Sequence, residues 1–248
     1  MNLLKSFNAN ANVVVIGASG GIGQAAVQLL SNDPSVGLVH AFSRDATNSQ
    51  DGKVHRLPIA LRDEQSIKTA VQIATSRAPV DLVFVASGLL HRDDAVQPEK
   101  SMGQLSINAM SEVFSVNTIG PALLAKHFLP AMRKTGKTVF AALSARVGSI
   151  SDNHLGGWIS YRASKAALNM VIKTLSVEQT RLRPESIVVS LHPGTVDTAL
   201  SKPFSGRVAE KSLFTPEHSA ACLFNVIDDL NVADSGSFFA WDGTAIEY

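Results

Sequence analysis

The stretch "NVVVIGASGGIGQAAVQLL" (12–30) changes its period halfway along. Its first six residues, "NVVVIG" (12–17), form a short apolar run, as in a strand buried on both faces. From "GIGQAAVQLLS" (21–31) the apolar positions recur at helical spacing. Between the two lie Gly17, Gly20, Gly21 and Gly23. A strand that turns tightly into a helix presents bare backbone N–H groups at the positive end of the helix dipole, where a pyrophosphate fits and side chains would hold it off. The spacing is GxxxGxG, not the GxGxxG of the dinucleotide fingerprint. A nucleotide-binding turn is nevertheless expected over a merely flexible one, because a first strand and a first helix flank it.

The same alternation continues along the chain. Strands are expected at 37–43, 53–60, 80–87, 137–145, 186–194 and 235–243. Helices are expected at 62–76, across 106–135 with Pro121 and Pro130 kinking or ending it, and at 160–182. Thr215-Pro216-Glu217 marks another helix start, with Thr as cap, Pro in the first turn and Glu suiting the dipole. Apolar strands separated by helices imply an α/β fold: one doubly wound Rossmann domain over 1–248, with a parallel sheet of about seven strands and helices on both faces. Two long irregular stretches, 88–105 and 195–214, are of the length usually reserved for function, and the second is expected to close as a lid.

Composition excludes several classes. With 22 basic and 21 acidic residues the net charge is +1, which gives no field for nucleic acid or an anionic membrane surface. The N-terminus carries no signal pattern and no apolar run spans a bilayer, so a cytoplasmic protein is expected. The single Cys222 excludes an internal disulfide and reads as buried packing. The seven histidines show no metal-ligand spacing, and no metal is expected.

The second strand ends "HAFSRDAT". An acidic residue there would bind a ribose 2′-hydroxyl, whereas Ser43 and Arg44 offer a donor and a planar fork for a 2′-phosphate. NADP(H) is therefore expected over NAD(H), unless Arg44 is a solvated charge partnered by Asp45. In "YRASKAAL" (161–168), Tyr161 and Lys165 are four apart, hence on one face of a helix. They are either a surface pair or a proton donor and the cation that tunes it. In the second case the ammonium is expected to bring the phenol down toward neutrality, an effect of about 4 kcal/mol.

Taken together, the glycine turn (17–23), "SVNTIG" around Asn117, "YRASK" (161–165) and "HPGTVDT" (192–198) resemble the short-chain dehydrogenase/reductase family over nearly the whole chain. "LSARVGSI", "GGWISYRASKAALNM" and "FFAWDGTAIEY" look like its C-factor branch, which is similar to the sniffer carbonyl reductases. The resemblance implies a cofactor held by Gly17, Ser19, Gly20, Gly21, Ile22, Gly23, Ser43, Arg44, Leu61, Ala86, Ser87, Gly88, Pro193, Gly194, Val196 and Thr198. It also implies Tyr161 as general acid, Lys165 on both the nicotinamide ribose and the phenol, and Asn117 holding a relay water. Three positions depart from the pattern: Ile16 replaces a Thr, Ala60 an acidic residue, and "VASG" (85–88) the Asn-Asn-Ala-Gly element. A fourth departure touches catalysis. The catalytic serine stands three before the glycine, where this chain has Ala145; Ser144 is the nominal substitute and Ser149 a further candidate.

The activity implied is hydride transfer between NADPH and a carbonyl or alcohol. An NADP(H)-binding sensor of the C-factor type is the alternative, and epimerisation or dehydration a third possibility. A homodimer or homotetramer is implied. Trp158, three before Tyr161, either walls the pocket or packs in the core, and Leu89, Leu90, Leu200, Phe204 and Phe214, on or beside the long loops, suggest an apolar substrate body.

Overall fold

The computed structural model describes residues 2–207 and 213–248. Its strands are β1 (Ala11–Ile16), β2 (Val36–Ser43), β3 (Ser49–Asp51), β4 (Val54–Pro58), β5 (Leu82–Val85), β6 (Thr138–Leu143), β7 (Ser186–His192), β8 (Thr195–Val196), β9 (Leu213–Phe214) and β10 (Phe238–Ala240). Its α-helices are α1 (Gly21–Ser31), α2 (Glu64–Thr75), α3 (Ile107–Phe114), α4 (Gly120–Phe128), α5 (Ile159–Leu182) and α6 (Pro216–Asp229).

Eight strands make the main sheet, in the order β10-β7-β6-β5-β1-β2-β4-β3. All pairs are parallel except β3–β4. Side-chain alternation divides the core. Val13 and Val15, Leu82 and Phe84, and Val139 and Ala141 point to one face and pack with α1 and α6. Val14 and Ile16, Val83 and Val85, and Phe140 and Ala142 point to the other, beneath α2, α4 and α5.

The sheet thus has one strand more than the expected seven. The addition, β3, is short, exposed along its length and turned onto β4 through Gly52 at φ +55°. The stretch 195–214 is not wholly irregular either, since β8 and β9 pair within it. Residues 208–212 of the expected lid lie outside the described residues. The single helix expected over 106–135 is broken. α3 passes into a π-helical turn, Ser115–Ile119, before α4 resumes, and a 3-10 turn, Leu129–Ala131, ends the run. Pro121 sits in the first turn of α4, directly after the π turn, and Pro130 in the closing 3-10 turn. Thr215 caps α6 as expected, its hydroxyl accepting from the His218 N–H at 3.2 Å. Cys222 is half-buried rather than buried, its Sγ 3.7 Å from His218 Nε2, and burial raises its thiol pKa. Among the described residues, no helix is long and apolar enough to cross a membrane.

Candidate active site

β1 is paired on one side with β2 and on the other with β5, so strand order reverses at β1. In an open α/β sheet, the crevice outside the carboxyl ends at such a switch point is where ligands bind. The glycine turn lies there. Gly17 adopts φ +84°, and a Cβ on it would come within 2.7 Å of Ser87 N, so the β1 turn and the end of β5 touch backbone to backbone. A Cβ at Gly23 would meet Gly17 O at 2.1 Å. Gly20 is the N-cap of α1 and supplies no side-chain cap. The first N–H groups of that helix therefore have no side-chain acceptor at a half-exposed helix start. Ser19 is exposed and Ile22 half-buried beside them.

The π-helical turn explains how Asn117 reaches inward. The extra residue in the turn rotates Asn117, fully buried, toward the loop after β5. Its Oδ1 accepts from Leu89 N–H at 2.7 Å, and its Nδ2 donates to Leu89 O at 2.9 Å and Ser164 Oγ at 3.0 Å. Thr118 Oγ1 donates to Ser164 O at 2.8 Å. One turn thus clamps both the loop and α5, beside Lys165. With both amide protons engaged, one lone pair on Oδ1 is all the side chain retains for the water expected there.

Tyr161 and Lys165 face inward, 8% and 3% exposed, so they are not a surface pair. Lys165 Nζ lies 5.8 Å from the Tyr161 ring centroid and donates to Leu143 O at 2.7 Å. A Cβ at Gly88 would lie 3.9 Å from Lys165 Nζ, 3.8 Å from Asn117 Oδ1 and 3.7 Å from Leu200 Cδ1, so these groups converge on one point. The expected depression of the phenol does not occur. Burial pushes Tyr161 up to about 12 and Lys165 down to about 8. The ammonium points over the ring and at a carbonyl, and burial disfavours the charged form of both groups.

Ser144 is buried and its hydroxyl has no hydrogen-bond partner. It directly follows β6, its N–H donating to Leu191 O at 2.8 Å. Ser149 is otherwise engaged: its Oγ lies 3.1 Å from Ser151 Oγ and accepts from Asp152 N–H at 3.3 Å. After β7, Gly194 turns at φ +78°, where a Cβ would press on the Phe214 ring at 2.7 Å, and Pro193 O accepts from Ser219 Oγ at 2.7 Å. Val196 is then buried in β8, while the Thr198 methyl comes within 2.6 Å of a Cβ position on Gly21. The segment 193–198 therefore closes over the glycine turn. Ala86 and half-buried Ser87 continue β5, and the Ser87 hydroxyl is unpartnered. Leu61 packs against Gly120 at the end of the π turn. Ser43 is buried at the end of β2, whereas Arg44 is exposed on the rim of a 390 Å³ cavity lined also by Asn48, Pro58 and Ala60.

Glu99 was not legible as a site residue. It is 3% exposed, and its carboxylate takes the Ser160 N–H at 3.1 Å and the Ser160 hydroxyl at the start of α5. The contact spans 61 residues, and no local spacing announces it.

A family model for short chain dehydrogenases matches residues 11–208. The chain is 30% identical over 240 residues to the 1-hydroxy-2-glutathionyl-2-methyl-3-butene dehydrogenase of Rhodococcus sp. (strain AD45), covering 96% of this chain and 100% of that protein. It is 36% identical over 149 residues to the C-signal protein of Myxococcus xanthus, covering 60% of this chain and 84% of that one. The NADPH-bound carbonyl reductase from chicken fatty liver superposes with a TM-score of 0.84 at 28% identity, covering 98% of this chain and 97% of that one. Strand order, glycine turn and matched sequence agree, and the chain belongs to the short-chain dehydrogenase/reductase family of oxidoreductases.

Proposed function

We propose that this oxidoreductase reduces carbonyl compounds with NADPH. One observation carries the reading: Tyr161 and Lys165 are buried together where Gly88 and Asn117 converge, in the crevice that opens on the glycine turn. The uncapped N–H groups of α1 fit a pyrophosphate, because a helix start with no side-chain acceptor favours an anion. Gly17, Ser19, Gly20, Gly21, Ile22 and Gly23 hold it, with Leu61 and the Ala86–Gly88 backbone along its length. Arg44, beside Ser43, takes the 2′-phosphate that distinguishes NADPH from NADH. Pro193, Gly194, Val196 and Thr198, which close over the glycine turn, would hold the nicotinamide end.

The hydride would come from the reduced nicotinamide when that cofactor is bound. Charge then develops on the carbonyl oxygen, and Tyr161 gives that oxygen its proton. A phenol pushed up to about 12 holds its proton across the physiological range, which suits an acid in the reductive direction. Lys165, cationic below about 8, compensates the phenolate as it forms. Ser144, with its free hydroxyl, donates a second hydrogen bond to the same oxygen. Asn117 fixes Leu89 and Ser164 and so sets where Lys165 stands. The similarity to an NADPH-bound carbonyl reductase supports the cofactor and the substrate class together.

A second reading, an NADP(H)-binding signalling protein, draws on Ala145 in the serine register and on the 36% identity to the C-signal protein. Titration with NADPH and NADH by nicotinamide fluorescence, followed by an NADPH-consumption screen with aromatic, aliphatic and quinone carbonyls, separates the two. Tight NADPH binding with turnover is expected. Binding without turnover on any carbonyl would favour the signalling reading, and failure to bind either cofactor would remove both.

A further inference from the structure

Trp158 stands three residues before Tyr161 in a conformation that large side chains avoid. Its φ of 50° and ψ of 42° are left-handed, and Gly156 and Gly157 before it are at φ +64° and +66°. Two glycines tolerate this; an indole does so only where its surroundings hold it, and such residues cluster at ligand sites. The surroundings here are Glu99. Trp158 N–H donates to Glu99 O at 2.5 Å, and a Cβ on Gly157 would sit 3.4 Å from that same oxygen. The Glu99 carboxylate takes the Ser160 N–H and hydroxyl, in the first turn of α5, where the helix dipole favours a negative charge. A serine or aspartate at the N-cap would start this helix more simply. A distant glutamate and a left-handed tryptophan do the work instead, and the outcome is a fixed indole. Its ring meets Tyr161 edge to face at 6.3 Å and 79°, and Phe204 at 5.1 Å and 65°. His91 also meets Phe204, at 5.6 Å and 69°.

We infer that Trp158 is a specificity-determining wall and that the substrate's carbonyl is attached to a planar aromatic ring. The inference rests on the carbonyl-reductase reading for the position of the carbonyl, beside the Tyr161 hydroxyl. A group on the carbonyl carbon then lies within one ring's reach of Trp158 and Phe204. Both present edges and faces in fixed tilted orientations, which reward a flat ring with a quadrupole of its own beyond the area that it buries. A saturated ring of the same size gains only the area. Glu99 is a positioning residue that acts through Trp158.

Acetophenone and cyclohexyl methyl ketone carry the same acetyl group on a planar and a puckered six-membered ring, and they test the wall when each variant's ratio is read against the wild type's, which cancels the conjugation of the aryl ketone. Calorimetric binding to the NADP⁺ complex and kcat/KM with NADPH are both measured. The wild-type protein is expected to favour acetophenone by about tenfold, the size of one good aromatic pair. Trp158→Leu is expected to bring the ratio near one, mostly through KM, while Trp158→Phe restores most of it. Glu99→Ala is expected to lower the ratio with the NADPH dissociation constant unmoved. Should that variant not fold, Phe204→Leu serves, with the same expectation. Equal handling of the two ketones by the wild type, or a ratio that survives Trp158→Leu, would overturn the inference. Preferential binding of acetophenone with no turnover of either ketone would uphold the wall and sink the reductase reading instead.

Discussion

The two ends of the sheet treat their buried charges differently. At the amino end the buried carboxylates are matched, although Asn12 Oδ1 beside them has no partner. Asp81, fully buried, accepts from Asn12 N–H at 2.8 Å and forms a forked ion pair with Arg133. Asp33, also fully buried, accepts from Leu3 and Leu4 N–H at 2.7 and 3.2 Å and from the Ser35 N–H and hydroxyl at 2.8 and 2.7 Å. Burial opposes its ionisation, but those donors outweigh it and hold its pKa below the ordinary value. At the carboxyl end the hydroxyls of Ser87 and Ser144 lack partners, an ammonium is buried without a carboxylate contact, and a tryptophan is left-handed. Matched polar groups stabilise a fold. Unmatched ones cost stability wherever they occur, and at the carboxyl end they gather around the candidate site.

Breaking the amino end should cost the most stability. Asp81→Ala strands the Asn12 N–H and Arg133, and is expected to destabilise by about 3 kcal/mol in chemical denaturation, as for a broken buried pair. The fraction still folded should bind NADPH as before.

Lys165→Met probes the other end, through pH. The native ammonium titrates near 8 because of burial, against an ordinary 10.5. Between those values the unfolded chain keeps a proton that the native chain has released. Native stability therefore rises with pH across this window, and the lysine's penalty is fully felt below it. The gap corresponds to about 3 kcal/mol. Denaturation curves at pH 8 and pH 10 should show a wild-type gain that Lys165→Met lacks, the difference isolating this group from other lysines.

A smaller contrast lies between two helices that start at the same end. α6 is capped by Thr215, and α1 by Gly20 with no side chain. Thr215→Ala is expected to cost about 1 kcal/mol and leave NADPH affinity alone. Gly20→Asp is expected to leave stability equal or raise it by a few tenths of a kcal/mol, while weakening NADPH binding at least about tenfold by repelling the phosphates. Thermal melts and fluorescence titration of the two variants decide it.

These rules explain what the sequence disclosed. A continuous apolar run such as Val13-Val14-Val15-Ile16 is dictated by burial on both faces, so the parallel strands were legible. So were the glycine turn and Tyr161-x-x-x-Lys165, whose geometry is local. β3, "SQD", was not: an exposed edge strand has no apolar pattern, and its pairing comes from the neighbour across a Gly52 turn. The π turn at Asn117 was not legible either, because a single five-residue turn within a helical stretch has no residue signature of its own. Glu99 on Ser160, and the direction of the Lys165 ammonium, depend on tertiary contacts that no spacing encodes.

If the carboxyl end gives up stability for the proposed proton transfer by Tyr161, a paired measurement on Tyr161→Phe will show it: kcat for NADPH-driven ketone reduction, and the melting temperature of the same preparation. The expected result is a kcat lower by roughly 10²–10⁴-fold, as for loss of a general acid, with a melting temperature equal to or above the wild type. Wild-type turnover in the variant would contradict the claim.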